Sequence, residues 1–212
     1  MSERPLRIAL PKGTLFAPSL AILGRAGLDT GGLADPGRQL TFDKPGLRYL
    51  IVRPTDVPVF VNYGGVDCAI CGKDSLLEAD LDLVELVDLG FGACRFVLVE
   101  PEGEHERIEE RYRHSGILRV ASKYPRVSSD YLARAGVQAE LIKMHGNIEL
   151  APLVGMADRV IDITATGATL AENHLVIVDE VLASTARFVA NPASLRTDFR
   201  VRQLAKRLGE CL

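Results

Sequence analysis

Strand-length apolar runs that alternate with helix-length segments along the whole chain constrain the fold more than any other feature. Residues 6–10, 47–53, 66–71, 94–99, 117–121, 139–144, 160–163 and 175–181 are such runs. Several, such as Val66-Asp67-Cys68-Ala69-Ile70-Cys71, are apolar nearly throughout instead of alternating. Strands of that kind are buried on both faces. Residues 39–42 and 84–89 read as further strands. Segments 15–26, 57–63, 74–78, 102–114, 125–135 and 148–154 read as helices, with Pro18 in a first turn and Pro125 and Gly136 bracketing the 125–135 segment. Residues 27–37, rich in Gly, Asp and Pro, read as loop. Near the C-terminus, 183–189 and 192–208 read as helical, broken at Asn191-Pro192. The order predicts an α/β chain with parallel or mixed sheets covered by helices on both faces.

The break at Gly90-Phe91-Gly92 divides the chain into two lobes. Residues 1–90 form lobe I, joined by 175–212, because that tail has no core of its own; residues 91–174 form lobe II. No internal repeat or low-complexity segment is visible. A length of 212 residues allows real cores, and 47 % apolar with 25 % charged residues suits a soluble globular protein. The net charge of -3 gives no bulk attraction to nucleic acid. Arg196, Arg200, Arg202, Lys206 and Arg207 cluster near the C-terminus, either as the wet face of a terminal helix or as a partner or phosphate surface. No stretch approaches the ~18 apolar residues of a membrane span. The first residues lack an export core, so the expected compartment is the cytoplasm. Cys68 and Cys71 have CxxC spacing, but they lie in a strand, whose faces alternate, and no second ligand pair accompanies them; they read as structural.

Four strand-end segments can carry chemistry. Residues 160–170 join an apolar strand to a helix start through Asp162, Thr164, Ala165, Thr166, Gly167, Ala168 and Thr169. Consecutive amides and hydroxyls in such a turn hold an anion, and Gly167 permits a positive φ. The alternative is an ordinary strand-to-helix junction. Neither GxxxxGK[ST] nor a dinucleotide fingerprint is present. Lys12-Gly13 follows the first strand, where α/β ligand clefts open, or is a solvated turn. Gly72-Lys73-Asp74 follows another strand; Asp74 or Ser75 caps a helix there, or Gly72 and Lys73 line a cleft. His145 and Glu149 flank a helix start, where a carboxylate holds a ribose diol or a metal's water, or where both are simply structural. No GxSxG or other nucleophile triad exists, so the site reads as one for positioning and charge stabilisation.

Seven stretches in order carry a family resemblance. They are Leu6 through Gly13, Arg53-Pro54-Thr55-Asp56-Val57-Pro58, Gly65 through Asp74, Asp88 through Arg95, Ala121-Ser122-Lys123-Tyr124-Pro125, Gly146 through Pro152, and Ala157 through Asp162 with Thr166-Gly167-Ala168-Thr169-Leu170. Over essentially its whole length the chain resembles the catalytic subunit of ATP phosphoribosyltransferase, in its short form. Two positions depart from the family: Thr14, where Arg is usual, which removes one cation, and Asn147, where Ser is usual. The resemblance implies a two-lobed fold like that of type II periplasmic binding proteins. It implies that adenine N1 of ATP attacks the anomeric carbon of phosphoribosyl pyrophosphate, releasing pyrophosphate, as the first step of histidine biosynthesis. It assigns Asp162 and Thr164 through Thr169 to the phosphoribosyl donor, and Lys12 and Glu149 to positioning, Glu149 at the ribose hydroxyls. Lys12, Gly13, Arg53, Gly72, Lys73, Asp74 and Arg95 become nucleotide or pyrophosphate contacts. Mg²⁺ is expected to arrive on the substrate, without a dedicated set of protein ligands. The expected partner is a regulatory subunit resembling histidyl-tRNA synthetase, with neither nucleic acid nor membrane. A solute-binding protein and a purely structural subunit are the competing classes.

Overall fold

The computed structural model describes residues 4–212. The chain divides into two compact units, Met1–Ala93 with Thr185–Leu212, and Cys94–Ser184. In chain order the first unit contains β1 (Leu6–Pro11), α1 (Phe16–Arg25), β2 (Thr41–Lys44), β3 (Leu47–Val52), α2 (Val57–Asn62), β4 (Cys68–Gly72), α3 (Lys73–Ala79) and β5 (Val84–Asp88). The second contains β6 (Cys94–Pro101), α4 (His105–Ser115), β7 (Leu118–Ser122), α5 (Pro125–Arg134), β8 (Ala139–Lys143), α6 (Leu150–Leu153), β9 (Arg159–Thr164), α7 (Ala168–Glu172) and β10 (Leu175–Ser184). The first unit is completed by β11 (Ala186–Ala190), α8 (Pro192–Thr197) and α9 (Phe199–Glu210). Among the described residues no helix is long and apolar enough to cross a membrane.

The first sheet has the order β2-β3-β1-β4-β11-β5, with β3, β1 and β4 parallel and the others antiparallel to their neighbours. Successive strand residues point to opposite faces, and here both faces are apolar. Ile8, Leu10, Cys68, Ile70 and Phe188 pack with Ile22 and Leu23 of α1 and Val201, Leu204 and Leu208 of α9. Ala9, Ala69, Cys71 and Val189 pack on the other face with Val57 and Val61 of α2. The CxxC pair therefore sends its sulfurs into different cores, and burial pushes both thiols well above their usual range. They are structural.

The second sheet has the order β10-β6-β9-β7-β8. Phe96, Leu98, Val120 and Ile161 pack with α4 and α5 through Ile108, Val127 and Leu132. Val97, Val99, Ala121 and Val160 pack on the opposite face with Ile148, Ala151 and Leu170.

No repeat is visible in the sequence, yet the two units share a topology. A central strand (β1, β7) lies between two parallel neighbours (β3 and β4, β8 and β9), and an antiparallel pair follows on one side (β11 and β5, β6 and β10). A common clasp accompanies it. Asp67, just before β4, accepts from the Arg7 amide at 2.9 Å and returns its own amide to the Arg7 carbonyl at 2.9 Å. Asp158, just before β9, does the same with Arg119, at 2.9 and 2.8 Å. Each carboxylate also takes that arginine's guanidinium, and Asp67 takes the Ser194 hydroxyl as well. Burial raises both acids' pKa, but the arginine hydrogen bonds outweigh it and hold both below the usual carboxylate range. An acid with a lowered folded pKa contributes stability above its unfolded pKa, and that contribution is lost as pH falls through the folded value. The thermal midpoint is accordingly expected to hold down to about pH 5 and to drop steeply below about pH 4. Asp67→Asn and Asp158→Asn should each flatten that acid slope; acid slopes identical to wild type would refute the clasp's role.

Four expectations are corrected. The second lobe boundary was expected at residue 175, but β10 pairs antiparallel with β6 from Leu175↔Pro101 to Ser184↔Cys94, so the chain leaves the second unit after Ser184. The first boundary lies after Ala93 instead of after residue 90. Residues 183–189 were expected to be helical, yet β11 lies between β4 and β5, where burial of Phe188 and Val189 on opposite faces overrides the alanines' helix propensity. The terminal helix is two helices. Asp198 is extended and its carboxylate accepts from the Arg200 amide at 3.0 Å, capping α9. Phe199, the first residue of α9, is exposed. Arg200 and Arg202, in the basic cluster, are engaged by Asp198 and by carbonyls of Leu195 and Arg196.

Candidate functional site

The β9–α7 junction folds as its hydroxyls and glycine dictate. Strand β9 ends at Thr164, and Gly167 then takes φ +80° as the N-cap of α7, a conformation that only glycine adopts freely. The Thr164 hydroxyl accepts from the Gly167 amide at 2.8 Å and the Thr166 hydroxyl from the Ala168 amide at 3.3 Å. These bonds tie two successive amides, those of Gly167 and Ala168, to the turn's own hydroxyls and fix its shape.

The turn borders a cleft of about 430 Å³, lined by Lys123, Tyr124, Glu149, Asp162 and residues 163–166 and 168–170. Glu149 is the N-cap residue of α6 and brings a carboxylate from another strand end. Asp162 is nearly buried. That burial pushes its carboxyl above the usual range, and the nearby Glu149 pushes the same way; the Ile163 amide and the Lys123 ammonium, 3.8 Å away, oppose the shift. Tyr124 is held edge-on by Phe96, with ring centroids 4.8 Å apart. Arg95 is paired in register with Thr164 at the start of the loop, and its guanidinium meets Glu180 at 3.0 Å. His145 is exposed at the end of β8.

The remaining candidates lie in the first unit, at the C-terminal ends of its three parallel strands. Lys12 and Arg53 each follow a residue of the pair Pro11↔Val52, and both are exposed. Gly13 has φ +87° and its carbonyl accepts from the Phe16 amide, opening α1. Gly72 ends β4 and is buried; a Cβ there would lie 2.0 Å from Asp74 Oδ1, so Asp74 folds back over the glycine. The Lys73 ammonium forms an ion pair with Glu85, which also binds Arg187. The N-cap position of α3 is taken by Gly72 itself, and the Ser75 hydroxyl donates to Asp74 at 3.3 Å.

Comparison with known proteins decides the family. The family model described as ATP phosphoribosyltransferase matches residues 53–210. An ATP phosphoribosyltransferase of Moorella thermoacetica is 52% identical over 202 residues, covering 92% of this chain and 87% of that protein. The chain belongs to the ATP phosphoribosyltransferase family. The ATP phosphoribosyltransferase (HisG:HisZ) complex from Thermotoga maritima contains a chain with a TM-score of 0.82 and 32% identity, covering 97% of this chain and 98% of that one. The periplasmic aliphatic sulphonate binding protein SsuA from Escherichia coli matches 99% of this chain and 73% of its own, with a TM-score of 0.59 and 15% identity. That likeness concerns fold alone: two α/β units of the type II periplasmic-binding-protein kind.

In this chain the residues expected at the loop, Gly167 apart, line one cleft together with Glu149. Sequence reasoning missed Lys123 and Tyr124. The signal was available: Lys123 follows β7 as Lys12 follows β1, at equivalent strand ends of the two units.

Proposed function

We propose that the chain transfers the phosphoribosyl group of phosphoribosyl pyrophosphate to N1 of ATP, releasing pyrophosphate, the first step of histidine biosynthesis. The observation that carries this reading is one cleft bordered by the hydroxyl-rich turn at Gly167, with two carboxylates, Asp162 and Glu149, in its lining. A phosphorylated sugar needs that pairing, with amides and hydroxyls for the 5′-phosphate and carboxylates to accept from the sugar hydroxyls. Thr164, Ala165, Thr166, Gly167, Ala168 and Thr169 hold the phosphate, and Asp162 and Glu149 the ribose.

Adenine N1 is already a nucleophile when neutral, so no protein base is required. Leaving-group departure puts charge on the pyrophosphate, and cations stabilise it. Lys12, Gly13, Arg53, Gly72 and Arg95 are assigned to the nucleotide or the pyrophosphate. Lys73 joins them by exchanging its Glu85 partner for a phosphate oxygen, and Asp74 shapes the turn beside it. The oxocarbenium-like sugar gains most from alignment of attacker, ring and leaving group.

Among the described residues no group of three or more His, Cys, Asp or Glu is placed to hold a metal ion. Asp162 and Glu149 nonetheless fit a magnesium ion carried by the substrate, since Mg²⁺ takes one or two carboxylates and fills its shell with phosphate oxygens and water. Bound in that way it supplies charge neutralisation at the pyrophosphate.

The likeness to a chain from a HisG:HisZ complex supports a partner of the kind the family's short form uses, a subunit resembling histidyl-tRNA synthetase. Reconstitution tests this. Adding that subunit is expected to raise turnover and to confer inhibition by histidine. Full, histidine-inhibited turnover by this chain alone would contradict it.

A further inference from the structure

Arg187 is a largely buried cation to which the reaction as read above gives no task. It lies in β11, paired with Cys71 of β4 and Asp88 of β5. Its neighbours Ala186 and Phe188 belong to the core under α1 and α9, so Arg187 projects to the opposite face with Val189, where Val61 of α2 and Leu76 of α3 pack. Only 14% of its side chain is exposed, and a charge so placed is costly unless it is paired. All its partners belong to the first unit. Nε lies 2.8 Å from Glu85 Oε1, an ion pair without the alignment of a hydrogen bond. Nη1 meets Asp88 and the Thr185 hydroxyl. Thr185 also donates to Asp88 at 2.8 Å, and its carbonyl accepts from the Lys73 amide at 3.0 Å. The Lys73 ammonium reaches the other Glu85 oxygen, Oε2, at 2.5 Å. Lys73 and Arg187 thus hold one oxygen each of the same carboxylate.

Resting on the reading of Lys73 as a phosphate contact, we propose that Arg187 is a positioning residue: by sharing Glu85, it lets the Lys73 ammonium leave that carboxylate for a substrate phosphate. An ion pair away from bulk water resists separation chiefly because the partner left behind is stranded. Glu85 is not stranded here. Arg187 stays at Oε1 when Lys73 departs, and its unaligned contact can tighten into a hydrogen bond. Asp88 keeps the guanidinium as well. Burial raises the Asp88 pKa, but the Thr185 hydroxyl, the Gly90 amide and the Arg187 charge outweigh it and hold the acid below the usual carboxylate range. The cluster therefore contains two carboxylates and two cations, of which Arg187 serves both acids and Lys73 one. Without the guanidinium, two carboxylates would face one cation. Glu85 would then hold Lys73 more tightly, and a phosphate would have to compete with it.

The test is a double-mutant cycle on the full chain, read by calorimetric titration with ATP and, separately, with inorganic pyrophosphate. Lys73→Met identifies which of the two ligands the ammonium holds. Arg187→Met should weaken that same ligand about threefold, and should weaken it no further when Lys73→Met is already present. Adding Glu85→Gln to Arg187→Met should restore the affinity, because the lysine then has no acid to leave. Arg187→Gln is carried through the same cycle, and thermal melts of every variant show which ones fold. A folded Arg187 variant that binds both ligands like wild type overturns the proposal. An equal loss in the Lys73→Met background overturns it too, since Arg187 would then act without Lys73. So does a loss that Glu85→Gln leaves in place, which would make Arg187 a structural residue only. A second readout needs no ligand. NMR of the Lys73 ammonium, assigned by its absence in Lys73→Met, gives the exchange rate of its protons with water. That rate should fall about threefold in Arg187→Met and rise in Glu85→Gln; an unmoved rate in both overturns the proposal. If Lys73→Met bound both ligands like wild type, the reading of Lys73 as a phosphate contact would fail, while the exchange rate would still report whether Arg187 loosens Lys73 from Glu85.

Discussion

Replacing Gly167 with valine is expected to weaken phosphoribosyl pyrophosphate binding on the order of 10- to 100-fold while leaving the fold standing. The cause lies in the backbone. Gly167 has φ +80°, and a Cβ placed on it would find no protein atom within 4 Å, so crowding by the protein is absent. A β-branched residue is strained at that φ by ~1–3 kcal/mol and escapes by rotating the peptide. That rotation breaks the hydrogen bonds that the Gly167 amide donates to the Thr164 hydroxyl and the Ala168 amide to the Thr166 hydroxyl, which set the turn. Gly167→Asn should lose less, since Asn tolerates the left-handed region. Calorimetric titration with phosphoribosyl pyrophosphate gives the affinity, and thermal melts show whether the fold survives. A folded valine variant with wild-type affinity would remove the loop from the site.

Replacing Phe188 with alanine is expected to destabilise the first unit by about 3–5 kcal/mol. Phe188 is fully buried at the middle of β11, paired with Ile70 of β4 and Val87 of β5. Its ring fills the core between α1 and α9. Truncation removes both the transfer free energy and the contacts around the resulting cavity. Urea unfolding monitored by circular dichroism measures the loss; a change below ~1 kcal/mol would mean that the site collapses around the smaller residue.

Phe188 also marks where the sequence misleads. Residues 183–189 contain two alanines three apart, Ala183 and Ala186, while Thr185, Phe188 and Val189 lean towards strand, so local propensity is divided. Only the gap between β4 and β5, which are antiparallel to this segment, makes it a strand. The same holds for β10, whose assignment to the second unit depends on pairing with β6, more than seventy residues earlier in the chain even at the register's closest pair, Leu175↔Pro101. Strands such as β1, β4 and β6 were legible because two-sided burial leaves a nearly unbroken apolar run. The β9–α7 loop was legible because a positive-φ turn demands glycine and an anion nest favours hydroxyls, both local requirements.

Ion partners were not legible. Lys73 and Arg95 read as free cations, but Glu85 and Glu180 meet them through the sheet. Lys123 was not among the expected site residues; the Ser122↔Ile161 register brings it to Asp162. The clasp at Asp67 and Asp158, and with it the shared plan of the two units, is likewise a property of strand pairing that residue order does not display.

The most direct measurement incubates the purified chain with ATP, phosphoribosyl pyrophosphate and Mg²⁺, with and without the synthetase-like subunit, and follows pyrophosphate together with the nucleotide product. The expected result is equimolar pyrophosphate and ATP carrying a ribosyl phosphate on N1, with the rate reduced by Gly167→Val. Binding of either substrate without any turnover, in the presence of the subunit as well as in its absence, would contradict the account and leave a binding protein in its place.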